Sequence, residues 1–238
     1  MSLALAHKRS TLALGSAAVA AAAGAPVAYS PADALSSPAN ARKHLMLQEA
    51  ALDQDLERVS AINGMAMRQA LKRDELLPKY QDYVQRYCES GLNFPNRVLV
   101  QVMIWLFDTE EFEDGMELAH FAIGQGQQMP ERFKRDIQTF VADAVCDWAY
   151  AEYKAKRSPE PYLSDLLSLV DGEWELTEQI PAKYHKLVGI RAMEDKDWGL
   201  ALLHFNRATE LHPSIGVGVR VENCLRALKK QQAKPATE

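Results

Sequence analysis

The sequence predicts an all-α protein, built of helical hairpins behind a long N-terminal helical arm. Three observations carry that expectation. From Pro38 onward, apolar residues recur at spacings near three, four and seven, the period of one helix face. Between these stretches stand residues that break or end helices: Asn63-Gly64, Gly91, Ser158-Pro159, Gly172 and Pro213. A single segment, 215–221, alternates as a strand would. It has no second strand to pair with, and Val217, Val221, Cys224, Leu225 and Leu228 also lie on one helical face, so it is assigned to a helix.

The elements follow in order. Leu52, Leu56, Val59, Met67 and Leu71 mark a narrow apolar stripe on one long helix, or on two broken at Asn63-Gly64. Pro78 sits near the start of the next helix, whose face runs through Leu77, Tyr80, Tyr83, Val84, Tyr87 and Cys88 to a stop at Gly91. Residues 98–107, Val-Leu-Val-Gln-Val-Met-Ile-Trp-Leu-Phe, are apolar nearly all round. Such a run fits a buried strand or a helix covered on every side. The polar turn at 108–111 and the helical face Phe112, Met116, Ala119, Ala122 and Ile123 that follow favour the helix. An amphipathic helix from Phe133 to about Lys156 comes next, then a short one from Tyr162 to Val170 ended by Gly172. Three more are expected near 181–194, 197–211 and 215–231. The narrow stripe and the all-apolar helix need more cover than one chain readily supplies, which points to a homo-oligomer.

The 238 residues suffice for one or two domains with a real core. A net charge of −5 does not suggest a general nucleic-acid binder, but the charge is uneven. Residues 1–80 hold nine basic and seven acidic side chains, residues 81–180 eight and nineteen, and residues 181–238 ten and six. Contacts to phosphate are therefore expected from the ends, because Lys and Arg drive that binding through counterion release. Cys88, Cys146 and Cys224 are odd in number, far apart and set in apolar helical surroundings, which argues against a disulfide framework or a Cys-based zinc site. His7-Lys8-Arg9 followed by an apolar run to Ala25 imitates a signal peptide. The run is mostly alanine, is interrupted by Gly15-Ser16, and meets Pro26 at the candidate cleavage point, so residues 1–37 are assigned to a flexible Ala/Ser/Pro-rich leader. No other stretch approaches the roughly 20 apolar residues that span a bilayer.

Residues 185–213 resemble a tetratricopeptide-type helix pair. Small residues at Gly189, Ala201 and Ala208 would let two helices approach closely, Phe205 would fill the groove between them, and Pro213 would stop the second. His185 stands where that pattern usually has an aromatic residue. Residues 98–123 form a second, more diverged pair. The acidic run 108–114 invites comparison with a metal-dependent nuclease, but carboxylates in a turn and a first helical turn are favoured there by the helix dipole alone. No two histidines take a metal-ligand spacing with a glutamate between them, and His120, His185 and His204 are expected to be partly buried structural residues. There is no phosphate-binding loop and no nucleophile elbow. No catalytic residue, metal ligand or cofactor is assigned. The basic side of the N-terminal helices carries Arg42, Lys43, Arg58, Arg68, Lys72 and Arg73, the candidate DNA-binding set, with Asn63-Gly64 as the possible turn of a helix-turn-helix. Glu49, Asp53, Asp55 and Glu57 share the region, so an ordinary solvated helix face is the alternative.

Several stretches together resemble the small terminase subunits of temperate tailed phages that package DNA with cohesive ends, often named the terminase endonuclease subunit. They are Ser37-Pro38-Ala39 with Arg42 and His44; Lys72-Arg73-Asp74-Glu75-Leu76-Leu77-Pro78; Val102-Met103-Ile104-Trp105-Leu106-Phe107-Asp108-Thr109; Glu117-Leu118-Ala119-His120-Phe121-Ala122; Gln128-Met129-Pro130; Lys186-Leu187-Val188-Gly189; and Asn206-Arg207-Ala208-Thr209-Glu210-Leu211. They fall in collinear order over roughly residues 37–230. The resemblance implies an assembly protein of the host cytoplasm. It would bind the packaging site on concatemeric double-stranded phage DNA, act with a large ATPase subunit, and form a homo-oligomer, usually a ring. The expected organisation is a leader (1–37), an N-terminal helical DNA-binding and oligomerisation region (38–75), a central helical core (76–180), a tetratricopeptide-like C-terminal region (181–230) and a tail (231–238). The leader is extra to the family pattern, and the tail is short and only mildly basic where a long Lys/Arg-rich one is expected. A bacterial helical-repeat adaptor without a DNA role is the alternative.

Overall fold

The structure is a computed structural model that describes Leu35 and residues 37–232. The proposed leader, apart from Leu35 and Ser37, and the tail beyond Gln232 lie outside the described residues. The chain partitions into Met1–Gln48 and Glu49–Glu238. Among the described residues there is no strand, and the protein is all-α. No helix among them is long and apolar enough to cross a membrane.

Helix α1 (Pro38–Ala61) crosses the partition and ends at the expected break, residues 62–64. Helix α2 (Met65–Leu71) then leads without interruption through a turn wound as a π-helix (Lys72–Leu76) into α3 (Leu77–Glu89). Pro78 lies in the first turn of α3, as expected, and the π-type turn joins that helix to α2 without a break. A proline there lacks its N–H, and its ring collides with the carbonyl four residues back. The widened turn before it, in which the Leu77 N–H donates to the Lys72 carbonyl five residues back, lets the helix pass through. Gly91, at φ +66°, reverses the chain after α3 in the left-handed conformation that a side chain would resist.

Helix α4 (Arg97–Asp108) is the centre of the second unit. Asn96 caps it by accepting from the Leu99 N–H at 3.1 Å, and every residue from 98 to 107 is buried. That cover comes from the same chain, which removes the all-apolar helix as a reason to require an oligomer. Around it stand α3, α5 (Phe112–Gly124) and α6 (Ile137–Lys154), joined by aromatic edges. Trp105 meets Tyr80, and Phe107 meets both Phe112 and Phe140, with ring centroids 5.8–5.9 Å apart. Phe133 precedes α6 in a turn, packing on Phe140, so that helix starts four residues later than the periodicity suggested, at the cap Asp136.

Helix α7 (Tyr162–Ser168) is followed by a second π-type turn (Leu169–Glu173), then by α8 (Gln179–Glu194), α9 (Trp198–Leu211) and α10 (Gly218–Gln232). Tyr184 on α8 donates to the Ala142 carbonyl on α6 at 2.8 Å, tying the C-terminal helices to the core. Between α8 and α9 the close approach read from sequence is present. A Cβ on Gly189 would stand 2.7 Å from the Phe205 ring, and Ala201, Phe205 and Ala208 are fully buried. Residues 215–217 lie outside α10, which takes up only the helical half of the ambiguous segment. His120 is exposed, contrary to the expectation of burial, because its position on α5 turns away from the faces that cover α4.

The Gly189 contact sets a quantitative expectation. Gly189→Ala gains about 1 kcal/mol of helix propensity but must displace a ring held on all sides, at a cost of about 1 to 3 kcal/mol. Chemical denaturation should show net destabilisation, whereas Gly124→Ala, whose Cβ would meet nothing within 4 Å, should be neutral or stabilising. Equal effects of the two substitutions would mean that α8 and α9 are not in close contact.

Candidate nucleic-acid interface

The six expected DNA-binding side chains occupy unlike environments. Arg42 and Lys43 are exposed on α1 in the first unit, and neither has a charged or hydrogen-bonding partner among the described residues. The other four belong to the second unit.

Arg58 is exposed but bridged. One guanidinium nitrogen donates to Asp55 at 2.9 Å and another to Glu75 at 2.5 Å. Asp55 is itself a buried carboxylate, only 2% exposed, and also accepts from Lys79 at 2.5 Å and from the Tyr80 hydroxyl at 2.8 Å. Burial alone would push its carboxyl up. The hydrogen bonds from Lys79, Tyr80 and Arg58 outweigh that and hold it below the usual carboxylate range. Asp55 thus fastens α1 to α3, and the acidic neighbours noted in the sequence turn out to neutralise Arg58. Arg68 is half-buried and donates its Nε–H to the Ile62 carbonyl, satisfying an acceptor freed at the break between α1 and α2.

Lys72 is buried at 8% exposure. Its ammonium reaches Gln69 at 3.2 Å and the Asp108 carboxylate at 2.7 Å, so it braces the π-type turn against the end of α4. Arg73 remains exposed, with one N–H donated to the Thr109 carbonyl at 3.3 Å and the rest of its guanidinium not engaged by any other group among the described residues. The structure therefore leaves Arg42, Lys43, Arg68 and Arg73 as cations with donors to offer, and uses Arg58 and Lys72 internally.

The same geometry bears on the acidic run. No lysine lies within residues 108–114, but Lys72 supplies one from a different helix. The Glu111 carboxylate accepts from the Thr109 hydroxyl at 2.8 Å, while Glu113 and Asp114 occupy the first turn of α5. Among the described residues no group of three or more His, Cys, Asp or Glu side chains is placed to hold a metal ion. The arrangement does not fit the divalent metal that a nuclease centre would use.

One constellation was not anticipated from sequence. Asp171, displaced by the non-helical backbone of the second π-type turn, accepts two hydrogen bonds from Arg207, each at 2.8 Å, and meets His185 Nε2 at 2.9 Å. His185 Nδ1 lies 2.8 Å from His204 Nδ1, and both imidazoles are buried. A carboxylate only accepts, so His185 carries its proton on Nε2, and in the neutral pair its Nδ1 accepts from His204 Nδ1–H. The Arg207 guanidinium holds Asp171 below the usual carboxylate range, against the opposing effect of burial. Burial, with a smaller contribution from His185, lowers the His204 value. Sequence separations of 14, 19 and 36 residues hid this cluster. Its one outward sign was His185 standing in the aromatic position of the helix-pair pattern.

With these elements in place, comparison with known proteins defines the class. The profile of the phage small terminase subunit family matches residues 49–179, and the chain belongs to that family. It is similar to the probable terminase, endonuclease subunit of Haemophilus phage HP1 (strain HP1c1), with 33% identity over 193 residues, covering 76% of this chain and 69% of that one. It is also similar to the terminase, endonuclease subunit of Escherichia phage P2, with 30% identity over 195 residues, covering 81% and 78%. No solved structure matches.

The histidine pair makes a pH prediction. Because His204 titrates lower in the folded protein than the ordinary imidazole value of about 6.5, the unfolded chain binds more protons just below that value. The His204 contribution is fully present above about 6.5 and is lost as the pH falls towards the folded value. Asp171, Arg207 and Glu210 are the charged groups beside the pair. The unfolding free energy should fall between about pH 7.5 and 5.5, and fall less in His204→Gln. Identical pH slopes in the two proteins would show that His204 does not titrate differently on folding.

Proposed function

We propose that this chain is the DNA-recognising subunit of a packaging terminase. On this reading it binds the packaging site on concatemeric double-stranded phage DNA in the host cytoplasm, assembles as a homo-oligomer, and directs a large ATPase subunit to the point of cutting. Membership of the phage small terminase subunit family is the observation that carries the packaging role. The helical-repeat adaptor alternative has no comparable support. Contact with DNA is assigned to Arg42, Lys43, Arg68 and Arg73, which retain donors that phosphate oxygens can accept. Arg58 and Lys72, though basic, are already neutralised by Asp55, Glu75 and Asp108.

Replacing Arg42, Lys43 and Arg73 with Ala should weaken binding to the cognate packaging site and flatten its salt dependence, by about one unit of slope for each cation that no longer meets a phosphate. Lys72→Met should instead lower thermal stability and leave the salt slope unchanged. A slope that is unaltered in the triple variant would place the DNA on another surface.

Where the cut is made is a separate matter. The two relatives are named endonuclease subunits, yet in this chain Asp108 and Glu111 are already engaged by Lys72 and Thr109. The purified chain, given Mg²⁺ or Mn²⁺ and packaging-site DNA, should leave that DNA intact, and cutting should begin when the large subunit is added. Site-specific nicking by the chain alone, abolished by Glu111→Ala or Asp114→Ala, would make this subunit the nuclease.

A further inference from the structure

The stretch 81–180 holds eight basic side chains against nineteen acidic ones, so phosphate contact was expected from the ends of the chain instead. The fold sets two of those eight along one stripe of α4. Arg97, Gln101 and Asp108 stand four and eleven positions apart from the first, which places them within about 40° of one another around the helix. Each meets a side chain that arrives from elsewhere. Arg97 pairs with Asp53 at 2.7 Å, Gln101 accepts from Arg132, and Asp108 receives Lys72 at 2.7 Å. Arg73, next to Lys72, donates to the Thr109 carbonyl at 3.3 Å. Arg97, Arg132 and Arg73 therefore succeed one another along α4, over about 16 Å at 1.5 Å per residue.

Arg132 is the member of this row without an anion. Its guanidinium lies 4.8 Å from the centroid of the Phe133 ring and gives one N–H to the neutral Gln101 side chain. No carboxylate among the described residues forms an ion pair with it, so most of its five donors remain free. Burial lowers its value, the positive charge of Arg97 lowers it further, and Asp108 opposes the two. Beside it opens a hollow of about 550 Å³, lined by Arg97 and Arg132 together with Asn96, Gln127 and Gln128. A guanidinium so placed gains from an incoming phosphate, which accepts from its planar fork and offsets the second cation nearby. Glu49 and Glu131 also line the hollow. Their charge opposes a small free anion. A duplex overcomes that opposition, because about 16 Å of its length carries about ten phosphates and meets all three arginines at once.

We propose that Arg132, with Arg97 beside it, holds a backbone phosphate of the bound duplex, and that Arg97, Arg132 and Arg73 form the strip along which DNA lies against the second unit. The proposal rests on the DNA-binding reading given under Proposed function. It adds to that reading a cation from the acidic middle of the chain, brought to the others only by the packing of the loop before α6 on α4.

Salt titration of duplex binding tests it. Full-length Arg132→Gln keeps a donor for Gln101 and loses the charge. It should weaken binding to duplex DNA carrying the packaging site by about threefold or more, and lower the salt slope by about one. Arg132→Lys, which keeps the charge, should restore the slope. Arg226→Gln, on α10, should change neither quantity. Phenylglyoxal, which modifies arginine side chains, gives a second reading on the wild-type protein should Arg132→Gln fail to fold. Duplex DNA should protect Arg132 from modification, and inorganic phosphate at the same ionic strength should not. Wild-type affinity and slope in Arg132→Gln, an equal loss in Arg226→Gln, or modification of Arg132 as fast with DNA as without would each overturn the assignment while leaving DNA binding standing. Equal protection by inorganic phosphate would make the hollow a free-anion site and overturn it as well. A wild-type protein that does not bind the duplex would remove the DNA-binding reading itself.

Discussion

A helix with no polar face must be covered on every side, and α4 imposes that requirement on the second unit. Its ten consecutive buried residues include Gln101, a polar group whose side chain accepts from Arg132, and Trp105, the largest buried ring. Leaving either end loose would expose backbone donors and carbonyls beside an apolar surface. Both ends are instead fixed by polar side chains. At the start, Asn96 caps the helix, donates to the Tyr83 hydroxyl at 3.0 Å, and receives the Gln127 side-chain carbonyl on its own N–H at 2.8 Å. At the finish, the Thr109 hydroxyl donates to Glu111, and Lys72 holds Asp108. The loops before α4 and after α5 are thus bound to one another through Asn96 and Gln127. The orientation of α3 and α5 follows from how α4 is enclosed.

That enclosure explains how the charges are distributed in space. The acidic middle of the chain and its basic N-terminal region are distinct blocks in the sequence, but the fold interleaves them where α3 meets the end of α4 and the second half of α1. Asp55, Glu75 and Asp108 take up Arg58, Lys79 and Lys72. These pairs differ in kind. Arg58 and Glu75 are both largely exposed, so their attraction is screened and worth little. Asp55 and Lys72 are buried, and removing the partner of either would strand a charge away from water. Of the six basic side chains expected there among acidic neighbours, Arg58 and Lys72 are therefore taken up internally, and their charge helps to maintain the angle between helices.

Much of the fold was legible in the sequence because it depends on local period and local breakers. The break at Asn63-Gly64, the stop at Gly91, the all-round burial of 98–107 and the close approach at Gly189 all follow from residues within a turn or two of each other, or from a spacing that one helical hairpin preserves. What escaped depends on distant partners. The burial of Lys72 needs Asp108, 36 positions away, and the relay through Asp171, His185, His204 and Arg207 needs three separate elements. Pro78 starts α3 as its position suggested, but the continuity of α3 with α2 was hidden, because it depends on an alternative hydrogen-bonding register, the π-type turn. Met67 shows a different failure. It falls on the apolar stripe by period yet is 67% exposed, since a stripe predicts a face and not whether anything covers it.

The internal use of Arg58 and Lys72 has a consequence for the DNA contact proposed above. Each phosphate contact contributes a salt slope of about −0.9, so a handful of free cations on one chain gives weak, strongly screened attachment. The net charge of −5 opposes approach from a distance. Under the proposed function, tight and selective binding would come from several copies that each contribute a few cations along one duplex, where the second and later contacts form at high effective concentration. The homo-oligomer proposed above would serve this directly. It would repeat Arg42, Lys43, Arg68 and Arg73 once in each copy. On this view self-association and DNA recognition are a single electrostatic problem. The acidic centre of the sequence, which argues against DNA binding when the chain is considered alone, would then be offset by the cations of several copies acting together.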